Sequence, residues 1–245
     1  MKKASVFSIV VFSTIFLTLS LGINYVIGAE KMMGEDVIMK QGEKMMEKGD
    51  MVKQGQKIMK QSEMMAAPAV DLRMAMRKLW EDHITWTRNY IISALADLED
   101  AGNVAERLLK NQDDIGNAIK PIYRDEAGKK LAALLRDHIL IATEVVKAAK
   151  MGNNEDLTKA NKKWYANADD IAVFLSGANP NWPKQVLVDM LYKHLEYTTG
   201  EVVSRLKKDW AADIDFYDKG HVHMLMFADA LTDGIVKQFP DKFKK

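Results

Sequence analysis

Four histidines, His83, His138, His194 and His221, fall near the midpoints of four long amphipathic segments. In a helical bundle those midpoints lie at one level, which would gather the imidazoles into a single layer. Neutral imidazole binds zinc, copper, iron and nickel, and facing helices of a bundle core are where such sites are built. Each histidine shares a helical face with apolar neighbours: His83 with Leu79, Trp86 and Tyr90, and His138 with Leu131, Leu134, Ala142 and Val145. His194 lies with Leu187, Leu191 and Thr198, and His221 with Ile214, Tyr217, Met224 and Ala228, while His223 points the other way. One reading makes the four ligands of a copper or zinc ion. The other makes them a structural layer whose nitrogens are satisfied by Thr87, Tyr90, Thr143, Thr198 and Tyr217, because unpartnered buried imidazoles cost desolvation free energy.

The carboxylates narrow the metal chemistry. A di-iron bundle needs glutamate three residues before histidine on two helices, and here only Asp218 stands three before His221. Glu201 follows His194 by seven residues, on the same face but ~10 Å along the axis. A mononuclear, mostly imidazole site fits better than a carboxylate-bridged pair. Asp113/Asp114 and Asp169/Asp170 lie away from the histidine level and read as solvated or hydrogen-bonding groups. No Walker loop, dinucleotide-binding glycine pattern, nucleophile elbow or zincin spacing is present. The residues select no catalytic group.

The elements that must position these histidines read as all-α, an up-and-down bundle of six helices, four of them long. The expected spans are Asp71 to Asp100, Asn103 to Ile119 ended by Pro121, Asp125 to Lys150, a fourth capped by Asn154 or Asp156 and ending near Gly177, Pro183 to Lys208, and Ala211 to Gln238 with a kink at Gly220. An internal duplication of helical hairpins supports the division. Residues 111 to 146 align without gaps on 167 to 202, with nine identities in 36 that include His138 with His194 and Asn111 with Asn167. Trp182, within Asn-Pro-Asn-Trp-Pro, reads as a packed loop residue.

Residues 67 to 245 form this bundle domain, and two different segments precede it. Lys2 and Lys3 stand before an uncharged apolar run from Ala4 to Ala29, an export signal long enough to remain as a membrane anchor. Cleaved or not, the basic flank places the rest of the chain outside the cytoplasm, at the outer face of the membrane or secreted. Residues 30 to 66 hold nine of the sixteen methionines in a degenerate repeat (MKQGEKM, MEKGDM, VKQGQKI, MKQSEMM). Thioether sulfur suits Cu(I), so this tether either concentrates copper or is a soft, weakly amphipathic spacer. With no cysteine, disulfides and thiolate sites are excluded; with 35 basic against 34 acidic residues, nothing attracts nucleic acid.

The segments LWEDHITWTRNYIISALADL, NQDDIGNAIKPIY, RDHILIATEVVKAAK, ANPNWP, MLYKHLEYTTGEV and FADALTDGIVKQFP together resemble a family of small exported bacterial proteins without an established function. The likeness spans residues 72 to 243. Labels such as glycosyltransferase or acetylglutamate kinase attach to that family, and both enzymes need α/β sheets and nucleotide loops that this chain lacks. The resemblance implies an exported helical domain and no catalytic residue. The residues leave two functions: a metal-binding bundle in the cell envelope, or a non-catalytic module that binds another protein.

Overall fold

The structure, a computed structural model, describes residues 67–244. The expected export segment and the methionine-rich tether lie outside the described residues. Among those described there are five α-helices and no strand: α1 (Ala67–Leu95), α2 (Ala101–Met151), α3 (Asn154–Ala178), α4 (Lys184–Leu206) and α5 (Trp210–Gln238), followed by a 3-10 turn at Pro240–Phe243. None of these helices is long and apolar enough to cross a membrane.

Two of the six expected helices follow one another without a loop, as two arms of α2. The spans 103 to 119 and 125 to 150 both lie in α2, which carries Pro121 within it and breaks instead at Arg124, where φ is 74° and ψ 171°. Pro121 removes one amide donor but leaves the residues after it helical, so the chain turns only where a left-handed residue reverses it. The two arms then fold back on each other: Arg136 donates to Asp113 at 3.0 Å, and Gly116 meets Gly128 and Ala132. A Cβ on Gly116 would stand 2.5 Å from the Gly128 carbonyl, so only glycine permits this approach. Other boundaries move by a few residues. α1 begins at Ala67 and ends at Leu95; α3 is capped by Asn153, which accepts from the Asp156 amide; α5 passes Gly220 unbroken.

The helices close into a ring. α1 contacts α2, α3 contacts α2 and α4, and α5 contacts α4 and returns to α1, where Arg73 and Arg77 pair with Asp229. Three of the turns share one geometry. Asp97, Gly152 and Lys208 are all left-handed (φ 54°, 65° and 60°), and each is followed by an amide bonded five residues back: Leu98 to Ser93, Asn153 to Ala148 and Asp209 to Ser204. This is the hydrogen-bonded helix end that satisfies orphan carbonyls and reverses the chain.

A single main core fills the ring, built around Trp80, Trp164, Trp182 and Phe227 with aliphatic residues from every helix. Trp182 is buried, as the loop reading expected, and the nitrogen side of its indole lies against Gly234 of α5. A Cβ at Gly234 would come within 1.9 Å of the indole nitrogen. Gly234→Ala therefore costs about 1–3 kcal/mol of overpacking, which outweighs the up to ~1 kcal/mol of helix propensity that alanine adds. The melting temperature falls by roughly 2–4 °C per kcal/mol lost. A melt equal to that of the parent protein would contradict this packing.

Candidate functional site: a buried layer of three imidazoles

Three helices deliver one histidine each to the middle of the core: His83 from α1, His138 from the second arm of α2 and His194 from α4. All three are at most 3% exposed. The ring centroids of His83 and His194 are 5.5 Å apart and those of His138 and His194 6.1 Å, the latter pair nearly stacked.

His221 does not join them. Its side chain is 29% exposed and faces Glu81 of α1 at 3.2 Å, with Tyr217 stacked on the ring. The expectation of a four-histidine layer fails because α5 meets the core through Gly220, Met224, Phe227 and Ala228, a face that leaves His221 turned toward α1. His223, on the α4 side, donates to the Met190 carbonyl over 2.7 Å, which requires its Nε2 to carry the proton.

The Met190 contact belongs to a series. Each core histidine is preceded by four residues by a carbonyl that also receives a side chain from the next helical arm. Asn111 donates to the Leu79 carbonyl, Asn167 to Leu134 and His223 to Met190, with separations of 32, 33 and 33 residues. These second bonds tie each histidine-bearing helix to its successor at one register. Sequence reasoning missed this role for Asn111, Asn167 and His223. The match of Asn111 with Asn167 in the aligned segments was its only visible signal.

His138 is fully satisfied. Trp164 Nε1, which can only donate, donates to His138 Nε2 at 3.1 Å, so the proton sits on Nδ1, which donates to Asn167 Oδ1 at 2.7 Å. The amide of Asn167 is in turn fixed by its bond to Leu134. Neither Trp164 nor Asn167 was among the expected partners. Thr87 and Thr198 were, but their hydroxyls donate to the backbone carbonyls of His83 and His194 rather than to a ring.

The other two imidazoles differ. Nδ1 of His83 and Nδ1 of His194 are buried without a hydrogen-bond partner among the described residues. Gln112 Oε1 lies close enough to His83 to favour its N–H electrostatically, but neither atom attains hydrogen-bond geometry. Against the layer sits a cavity of about 70 Å³, lined by residues that include His83, His138, His194, Asn161 and Trp164. Among the described residues, no group of three or more histidine, aspartate or glutamate side chains has the arrangement to hold a metal ion.

One charged cluster is also buried. Arg88 of α1 reaches Glu201 of α4 at 2.7 Å and grips Asp213 of α5 through two bonds of 2.9 and 3.0 Å, and Arg205 adds a third at 2.9 Å. It clamps α1, α4 and α5 together near the left-handed turns. Asp113 and Asp169 serve as the sequence implied, taking bonds from Arg136 and Tyr192 at the partly exposed flanks. The chain matches no protein-family model, no curated protein and no solved structure.

The electrostatics set a pH dependence. Burial holds the imidazole of His83 down at about 3, with His138 beside it adding to the effect. Burial likewise holds His138 at about 4 and His194 well below its ordinary 6.5, with His83, His138 and His223 adding to the latter. All three are neutral at pH 7. Because the unfolded chain takes up protons near pH 6.5 and the folded one does not, stability falls as pH drops below 6.5. Each group loses up to ~1.4 kcal/mol per pH unit below that point, so three lose about 5 kcal/mol between pH 6.5 and 5. Glu201, pushed up to about 7 by burial against the pull of Arg88, acts oppositely, gaining stability as pH falls toward 4.5. One group returns about 2 kcal/mol over the same range, and the histidines win by about 3. Urea unfolding will show a midpoint at pH 5 far below that at pH 7; equal midpoints would show that the three imidazoles are not buried neutral.

Proposed function

We propose that this is an extracytoplasmic helical module, assembled from three tandem helical pairs, whose buried imidazoles bind a single copper ion. What supports the tandem reading is the recurrence, at steps of 55 or 56 residues, of the histidine, of the doubly bonded carbonyl four residues before it and of the left-handed turn beyond it. The pairs are α1 with the first arm of α2, the second arm of α2 with α3, and α4 with α5.

The observation that carries the copper reading is the adjacent pair His83 and His194, two desolvated imidazoles whose Nδ1 atoms have no partner among the described residues, beside a cavity. The donor set selects among metals. Zinc wants three or four protein ligands in a tetrahedron, and no carboxylate lines the cavity. His138 has both nitrogens committed, so it can join only by releasing Trp164. Cu(I) accepts low coordination by nitrogen or sulfur donors, and a thioether-rich segment in the same chain suits its capture. His83 and His194 would hold the ion, the apolar walls would exclude water, and His221 takes no part.

A second reading is favoured by His138 itself. A ring fully hydrogen-bonded by Trp164 and Asn167 behaves as a structural residue, as it would in an envelope module that binds a protein and no metal. Copper content of the full chain, loaded as Cu(I), separates the two. His83→Leu with His194→Leu will carry one equivalent less than the parent protein, while His221→Leu will match it; the tether is present in all three, so its own binding cancels. Equal copper in the parent and the double variant, with a more stable variant, would establish the structural reading.

A further inference from the structure

The three histidine-bearing helices repeat more than the histidine. Four residues on stand Thr87, Ala142 and Thr198, and eight residues on stand Ile91, Val146 and Val202, the last three forming a small cluster separate from the main core. A row of small residues thus lies between a row of imidazoles and a row of aliphatic side chains. The cavity of about 70 Å³ is bounded by residues of all three rows and extends toward Thr143, Thr199 and Val203 at the surface.

Its walls define what fits. No charged side chain among the described residues lines it, so a carboxylate or an ammonium would be desolvated without compensation. The Thr87 and Thr198 hydroxyls spend their protons on the carbonyls of His83 and His194, leaving surroundings that are almost wholly apolar. Polar capacity remains at a few fully buried points among the lining residues: Nδ1 of His83, Nδ1 of His194 and Oδ1 of Asn161 have no partner among the described residues. The volume is about half that of an engineered cavity of ~150 Å³ that takes benzene or xenon, and several times the ~10–15 Å³ that holds one water.

We propose that this chamber is a binding site for one small, uncharged and largely apolar molecule of a few heavy atoms, whose single hydrogen-bonding end meets the imidazole of His83 or His194. The site does not depend on copper: its apolar half is formed by Ile91, Val146, Val202 and Ala142, and its polar half needs only neutral imidazole.

Xenon and 2-propanol probe the two halves in the metal-free full chain labelled at Ile and Val methyls and at histidine nitrogen. Xenon pressure will shift the methyls of Ile91, Val146 and Val202 saturably and leave those of exposed Val173 and Val222 in place. 2-Propanol will shift the same methyls and also the ring nitrogens of His83 or His194. Ala142→Leu fills the chamber and weakens both by about tenfold or more; should that variant fold poorly, Val202→Met, which fills it from another wall, gives the same loss. Absence of a saturable xenon response in the parent protein overturns the site. An alcohol response confined to methyls overturns the role given to the imidazoles.

Discussion

Placing three imidazoles in a protein core is expensive unless each ring is kept neutral and its polar atoms are met, and much of this fold is arranged around that requirement. His138 shows the full solution, with an indole donor on one nitrogen and a carboxamide acceptor on the other. The carboxamide is held by the helix it serves, since Asn167 also donates to Leu134. The same tie, made by Asn111 and His223 at the other two helices, sets the axial register of three helical pairs. Once the register is fixed, the rows on either side follow: bulky Trp80, Leu135 and Leu191 three residues before the histidines, small residues four after, aliphatic ones eight after. The histidine layer is thus the level from which the packing of the core is counted.

The turns enforce that level from outside. Three left-handed residues close three helices, each followed by the same backbone bond to the carbonyl five residues back, so the arms begin and end at corresponding heights. Only Gly152 of the three is a glycine; Asp97 and Lys208 take the conformation with a Cβ, which costs roughly 1 kcal/mol each and persists because the helices on both sides determine it. The Arg88, Glu201, Asp213 and Arg205 cluster then locks the seam where the last helix meets the first. Removing one member would strand buried charge, so the cluster sets seam geometry more than it adds net stability.

Much of this was legible in the sequence, for reasons that particular residues make clear. The helical period marked the faces of His83, His138 and His194, and identities between 111 to 146 and 167 to 202 exposed their common spacing. His221 misled because periodicity reports which face is apolar, not which neighbour the face meets: its ring lies between α1 and α5 rather than at the centre. Pro121 misled similarly, since a helix can pass a proline when the reversal is supplied by Arg124, which lies between the two glycines that meet, Gly116 and Gly128. The partners of His138 were hidden because Trp164 and Asn167 are 26 and 29 residues away, and no local rule relates such distances. The cavity was hidden too, although Thr87, Ala142 and Thr198 were in plain view, because small side chains create space only when their rows coincide.

Function, on this account, begins with rings that are neutral and unequal: one saturated, two with capacity left for a metal ion or a small neutral molecule. The most direct test of that inequality is the nitrogen NMR of the histidine side chains across pH. The account predicts neutral rings for His83, His138 and His194 from pH 7 down to where the fold is lost, with His138 carrying its proton on Nδ1 and its Nε2 coupled to the Trp164 indole. A core histidine that takes up a proton near pH 6.5 while the protein stays folded, or a His138 protonated on Nε2, would contradict it.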